Sequence, residues 1–483
     1  MMNGMDTPPR NIVVILSDQW RWDALSCARQ GSTASTPFTD QLAAEGCRFI
    51  NACSPSPSCI PARACFATGR TPVRAGRCGY VESQPWPYRH TWMSRLREHG
   101  HQTIGIGKTH FHPMRARLGF EELRLYEAMQ RDPGVASDYH QWLREVSGGT
   151  VQDVALQGFP NSWVPRPWTH RRDWHCTEWM TREAITQLER RDPTRPFALY
   201  VGYHRPHPPM DPPQDIYERF LAVEDPGPRI GDHCERSPEV ATGASNGPRT
   251  CLRADDLRRA RAAYFASIAH VDEQIGQLHW YLHRTGLLRD TWIVVTSDHG
   301  EFLGDHHRWH KFSLHRDSAG IPLIIRPPEG EARGITCRTP VDLSDLGTTL
   351  CRWAGTDLPD ADGRDLTELV HGAEDPARII HGEHAHFSGN EHALRDRRWT
   401  YIWDSVTGEE RLFDRDADAH EGHDLSGKQP AELARWREHL AARLADRPEG
   451  FVVNGALRSG SCSESVSAAI RSGRDPLDAA APA

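Results

Sequence analysis

The chain has 483 residues, enough for one large α/β unit with an appendage or for two to four domains. With 38% hydrophobic and 25% charged residues it has the balance of an ordinary globular protein, and a net charge of −8 argues against nucleic-acid binding. No apolar run reaches 18 residues and residues 1–10 carry no signal-like apolar stretch, so the sequence predicts no membrane span, no secretory leader and a cytoplasmic location.

The first predicted element is the run Asn11-Ile-Val-Val-Ile-Leu-Ser17, apolar on both faces as a covered strand must be, and it ends in Asp18-Gln19. A helical pattern over 36–45 precedes a cysteine-led segment, Cys59-Ile-Pro-Ala-Arg-Ala-Cys-Phe-Ala-Thr-Gly-Arg70. A helix over 91–98 leads to a strand over 103–107 that ends at Lys108, with His110 two residues on. A helix over 177–190 is followed by a strand over 197–203 that runs towards His207. The long helical pattern 255–283 precedes a strand over 292–297 ending at Asp298-His299, and a last apolar run covers 321–325.

Strands alternating with helices predict a doubly wound, mostly parallel sheet with helices on both faces. Ligands collect at the carboxyl ends of such strands, where Asp18, Lys108, His207 and Asp298 all fall. Residues 1–374 read as this α/β domain. Residues 375–456 read as a smaller α+β subdomain with strands at 378–383, 399–403 and 410–413 and a helix at 430–445, and 457–483 as a disordered tail. Residues 223–252, rich in Pro, Gly and Ser, read as a surface loop or lid.

The 12 cysteines form no Cys-x-x-Cys pair, so no zinc knuckle is indicated and most read as buried thiols, Cys53 and Cys65 among them. Cys59 is the exception. The segment 59–70 resembles the signature of the sulfatase family, in which this cysteine is oxidised to formylglycine. The resemblance extends in order through Ser17-Asp18-Gln19, Gly107-Lys108-Thr109-His110, Pro206-His207-Pro208-Pro209, Ser297-Asp298-His299-Gly300 and Lys311, and 411–418 resembles the family's closing hairpin.

The resemblance implies an alkaline-phosphatase-like α/β fold and hydrolysis of a small-molecule sulfate monoester. It also implies one divalent cation, Ca²⁺ first with Mg²⁺ or Mn²⁺ as alternatives, and a formylglycine-generating enzyme as maturation partner. An oligomer is compatible with it. Carried over residue by residue, Asp18, Gln19, Asp298, His299 and the modified Cys59 would hold the metal. Arg63, Lys108 and Lys311 would bind sulfuryl oxygens, His207 or Lys311 would protonate the leaving alcohol, and His110 would take a proton as the aldehyde reforms.

Gln19 stands where many members have aspartate. With Asp298-His299 this is similar to choline sulfatases and phosphonate monoester hydrolases, which keeps a phosphonate or phosphate ester hydrolase as the alternative activity. Two groups have no assigned role. His381, Glu383, His384 and His386 read as a pocket rim or a second metal site, and among the tryptophans Trp86 and Trp163 are candidates for an aromatic substrate wall.

Overall fold

The computed structural model describes residues 10–28, 33–128, 132, 134–157, 161–236, 239–240, 249–329, 331–386 and 389–479. At its centre lies an eight-stranded sheet. Its strands are β1 (Asn11–Ser17), β2 (Cys47–Phe49), β3 (Gln102–Gly107), β4 (Glu122–Leu125), β5 (Phe197–Tyr203), β6 (Thr291–Ser297), β7 (Leu323–Arg326) and β8 (Ile335–Cys337). They lie in the order β8-β2-β7-β6-β1-β5-β3-β4. Only β7 runs against its neighbours, so the sheet is mixed but mostly parallel, as expected.

The central strand shows why its sequence is apolar throughout. Val13 and Ile15 face one hydrophobic core, while Ile12, Val14 and Leu16 face the other. Successive side chains of a strand point to opposite faces, so a strand covered on both sides has no room for a polar residue until it ends. One core is roofed by α4 (Cys176–Arg190) and α5 (Ala254–Arg284), the other by α2 (Cys59–Thr68), α3 (Trp92–Glu98) and α6 (Leu343–Trp353), while α1 (Pro37–Ala44) lies against α5. Among the described residues no helix is long and apolar enough to cross a membrane.

A second, four-stranded antiparallel sheet follows, with β9 (Ile380–His386), β10 (Gly389–Arg395), β11 (Trp399–Asp404) and β12 (Glu410–Asp414) in sequence order. Its alternation is again two-sided. Leu394, Tyr401 and Leu412 pack with Trp436 and Leu440 of α7 (Pro430–Leu444), whereas Ala393, Ile402 and Phe413 pack on Leu314 and Ala319 of the larger unit. The sheet also grips that segment through polar contacts. The Glu391 carboxylate accepts from the Leu314 N–H (2.5 Å) and the Ser313 hydroxyl (3.0 Å), and Arg395 donates to the Leu314 carbonyl.

Residues 457–479 are folded, against the expectation of a disordered tail. Val466 and Ile470 are fully buried in the core beneath α2 and α3. Cys78 and Gly79 donate backbone N–H groups to the Ser465 carbonyl, and Arg70, the last residue of the cysteine segment, pairs with Asp475 at 2.7 Å. Composition misled here because two well-placed apolar side chains and a few backbone bonds suffice once a large body offers a groove. Arg70 and Asp475 are 1% and 2% exposed. Asp475→Ala would leave a buried guanidinium without its counter-ion and should lower unfolding free energy by about 3–5 kcal/mol, read as a lower urea midpoint at unchanged slope.

Candidate active site

Four adjacent strands deliver charged groups to one edge of the sheet. In the order β6-β1-β5-β3 their carboxyl ends lead into Asp298, Asp18, His204 with His207, and Lys108. Asp18 is fixed by its N–H to the Tyr203 carbonyl (2.9 Å), and Ser17 donates its hydroxyl to the Arg205 carbonyl (2.5 Å).

Cys59 comes from the second layer, as the first residue of the wholly buried α2. The helix lies close because its partner is small. A Cβ on Gly347 of α6 would stand 2.4 Å from the Phe66 carbonyl oxygen, so only glycine permits this approach. Arg63 follows Cys59 by four residues, one turn later on the same helix face.

All three guanidinium nitrogens of Arg63 donate within the site. Nε donates to Asp298 (2.9 Å) and Nη2 to Asp18 (3.1 Å), while Nη1 donates to the Lys108 carbonyl (2.9 Å) and the Tyr200 hydroxyl (2.8 Å). Lys108 Nζ lies 2.6 Å from the same oxygen of Asp18, Oδ2. Arg63 thereby holds Oδ2 of each carboxylate, and Oδ1 of each lies 3.7 Å from His299 Nε2, with Asp298 Oδ1 also accepting the His299 N–H (3.1 Å). His299 Nδ1 meets the Gly300 carbonyl at 3.0 Å, which leaves Nε2 as the nitrogen facing the carboxylates.

Asp18, Cys59, Asp298 and His299 bring one ligand atom each within 4.8 Å of one another. Two carboxylate oxygens, one imidazole and an oxygen or sulfur at residue 59 suit a small divalent cation, so the donor set fits a metal. Gln19 is turned elsewhere. Its side-chain oxygen accepts from Lys311 Nζ (2.7 Å), its amide nitrogen donates to Glu301, and only its backbone N–H reaches Asp298 (3.2 Å).

The electrostatics follow from burial. Desolvation pushes Asp18 upward, but Lys108, His207 and Arg63 hold it well below the usual carboxylate range. Burial and Asp18 raise the Cys59 thiol, and Lys108, Lys311 and His299 outweigh them, so it sits below its ordinary value. His207 is held well below the ordinary imidazole range by burial and by Lys311 and Lys108. It is therefore neutral at neutral pH. Its Nδ1 meets the Pro208 carbonyl at 2.7 Å, leaving Nε2 with the lone pair.

Above Cys59 opens a cavity of about 110 Å³ lined by Lys108, His110, His204, His207, Lys311 and the aromatic pair Tyr80 and Phe312. Lys311 Nζ and Lys108 Nζ stand 3.6 and 3.9 Å from the Cys59 sulfur. The structure thus gathers all ten residues singled out in the sequence around one point. Arg63 faces the carboxylates rather than the cavity. The sequence missed Tyr200, hidden inside an apolar strand, and Glu301, which accepts from Gln19 and from the N–H groups of Leu303 (2.8 Å) and His310 (2.6 Å). Glu301 follows Asp298-His299 by two residues, a signal that was present but not distinctive.

Other expectations are corrected. Trp86 packs in the core against Phe111 and Tyr88, and Trp163 stacks on Trp309, so neither forms the cavity wall. Among the described residues, the histidine-rich strand β9 brings no set of three metal-ligating atoms together. Glu383 is taken bidentately by Arg447 (2.8 and 2.9 Å), and His384 meets the Ser56 hydroxyl (3.0 Å) just behind the start of α2. His386 stacks on Phe312 at the rim.

A family model described as sulfatase matches residues 10–356. The chain is 33% identical over 469 residues to an arylsulfatase of Clostridium perfringens, covering 93% of this chain and 97% of that protein. It is 29% identical over 441 residues to a choline-sulfatase of Rhizobium meliloti, covering 86% and 82% respectively. A phosphonate monoester hydrolase of Agrobacterium radiobacter superposes with a TM-score of 0.75 at 24% identity, covering 90% of this chain and 95% of that one, a likeness of fold.

Arg63→Ala would strand two buried carboxylates. Unfolding free energy should fall by about 3–5 kcal/mol, measured by chemical denaturation, and turnover should fall with it because Asp18 and Asp298 lose their shared clamp.

Proposed function

The chain belongs to the sulfatase family, and from that premise we propose that it hydrolyses a sulfate monoester to an alcohol and inorganic sulfate, using a formylglycine made from Cys59 and one divalent cation. The observation that carries the reading is the crowding of Asp18, Cys59, Asp298 and His299 onto one buried point beneath a cavity walled by Lys108 and Lys311. In the bare site the charges of Asp18, Asp298 and Glu301 offset those of Arg63, Lys108 and Lys311. A divalent cation adds two positive charges to a place shielded from water, so the loaded site calls for an anion.

Asp18, Asp298 and His299 would hold the cation, for which Ca²⁺ suits the carboxylates and Mn²⁺ suits the imidazole as well. When present, the cation and the hydrated aldehyde at residue 59 supply Lewis acidity and a nucleophilic hydroxyl. The remaining work falls to the chain's own side chains. Lys108 and Lys311 reach over residue 59 from two sides, where they would bind two sulfuryl oxygens as charge moves onto the leaving oxygen. Arg63, with its donors spent on the carboxylates, acts as a positioning residue. Lys311 would give a proton to the departing alcohol, whereas neutral His207 offers a lone pair at Nε2 and would orient rather than protonate. His110 stands on the cavity wall, where it would take up the proton released as sulfate departs.

One observation supports a second reading. At position 19 a neutral amide, bound to both Lys311 and Glu301, stands where a carboxylate would add negative charge. Less negative charge suits a more highly charged substrate, so a phosphonate or phosphate ester hydrolysed by the same groups is the alternative. A formylglycine-generating enzyme is the implied maturation partner, since Cys59 is 2% exposed in the finished fold.

Protein co-expressed with that enzyme should yield a residue 59 peptide with the mass of an aldehyde. It should turn over an aryl sulfate faster than an aryl phosphonate, and the reverse order would select the alternative. Cys59→Ala should fold normally and lose turnover to the assay floor; activity above that floor would overturn the nucleophile assignment. Asp298→Asn should purify with well under one equivalent of divalent metal by elemental analysis, and an unchanged metal content would remove Asp298 from the ligand set.

A further inference from the structure

A second convergence of metal-binding side chains lies outside the cavity just described. His233 and Cys234, on the loop 223–252, meet His306, from the turn after β6, with one ligand atom of each within 4.8 Å of the others. They share a pocket of about 230 Å³ with His307, His315 and the guanidinium groups of Arg249, Arg308 and Arg411. None of these residues lines the cavity above Cys59.

The details favour a ligand set over a packing accident. His233 has a side chain only 9% exposed, yet neither of its ring nitrogens has a hydrogen-bond partner among the described residues, and the Asp232 carboxylate stands 3.7 Å off. A buried imidazole with both nitrogens unspent is costly unless something else binds it. His306 is prepared differently. Asp317 lies 3.4 Å behind its Nε2 and the His420 carbonyl 3.3 Å away, while the opposite nitrogen, Nδ1, faces the Gly231 N–H at 3.1 Å. A metal at Nδ1 would take the place of the Gly231 N–H, while Asp317 fixes the ring from behind.

Two imidazoles and one thiolate are borderline-soft donors, unlike the carboxylate-rich set around Asp18, and three such ligands with room for a fourth match tetrahedral Zn²⁺. We propose that His233, Cys234 and His306 form a second metal site, selective for Zn²⁺ or a metal of similar softness, with its fourth position open to water or an anion in the arginine-lined pocket. Such a site would tie the loop 223–252 to the segment that carries Lys311, because His306 precedes Lys311 by five residues.

The test uses the full-length protein with its first metal in place, dialysed against Zn²⁺ alone and against Co²⁺ alone. Wild type should hold one more equivalent of Zn²⁺ than Cys234→Ser or His233→Ala. Loss of a direct ligand should weaken Zn²⁺ binding by more than the roughly 10–100-fold that loss of an outer-shell partner costs. Co²⁺ should give a near-ultraviolet thiolate charge-transfer band that persists in Cys59→Ala and vanishes in Cys234→Ser. The two loop variants should melt with wild type before Zn²⁺ is added and lose only the Zn²⁺-dependent rise in melting temperature. Equal Zn²⁺ stoichiometry in wild type and Cys234→Ser, or a cobalt band that follows Cys59 instead, would overturn the proposal.

Discussion

The site depends on Arg63. Two carboxylates buried beside each other repel, and each loses its hydration. A guanidinium between them answers both costs with a rigid fork of donors, one edge to Asp298 and another to Asp18, while its third nitrogen ties down the backbone beside Lys108. Ion pairs this deep add little net stability compared with a well-packed apolar core. Their value is geometric, because they turn one oxygen of each carboxylate towards a common point. That the arginine sits one helical turn from Cys59 means a single short helix sets both the clamp and the reacting position.

Around that clamp the structure is layered outward. Tyr200 and Glu301 hold Arg63 and Gln19, and the C-terminal sheet in turn holds the segment that leads away from Lys311, through Glu391 and Arg395 at Ser313 and Leu314. The smaller sheet thus braces the segment beside the site as well as being an appendage. Its two-sided alternation follows from that, with one face apolar for α7 and the other apolar for the larger unit.

Much of this was legible in the sequence for a plain physical reason. A strand buried on both faces must be apolar along its whole length, so the first polar residue after it marks the sheet edge. Asp18, Lys108 and Asp298 announced themselves in this way. What stayed hidden obeys no period. Tyr200 reads as one more apolar strand residue until its hydroxyl is seen against Arg63. The antiparallel sense of β7 depends on how the chain returns, which an apolar run of four or five residues does not encode. The tail was misjudged because composition averages over residues, whereas Val466 and Ile470 act singly, each filling a place prepared by residues far away in the chain. The cluster at 233, 234 and 306 has the same character, since its ligands are 72 residues apart and share no spacing motif.

The pairing of Arg70 with Asp475 joins positions 405 residues apart. Arg70 closes the segment that begins at Cys59, and its counter-ion is made 405 residues later. During synthesis that end of the helix therefore waits with an unsatisfied charge until Asp475 has emerged. The burial of that helix end is thus a long-range property of the chain, completed only when residues far from Cys59 in sequence have taken their place.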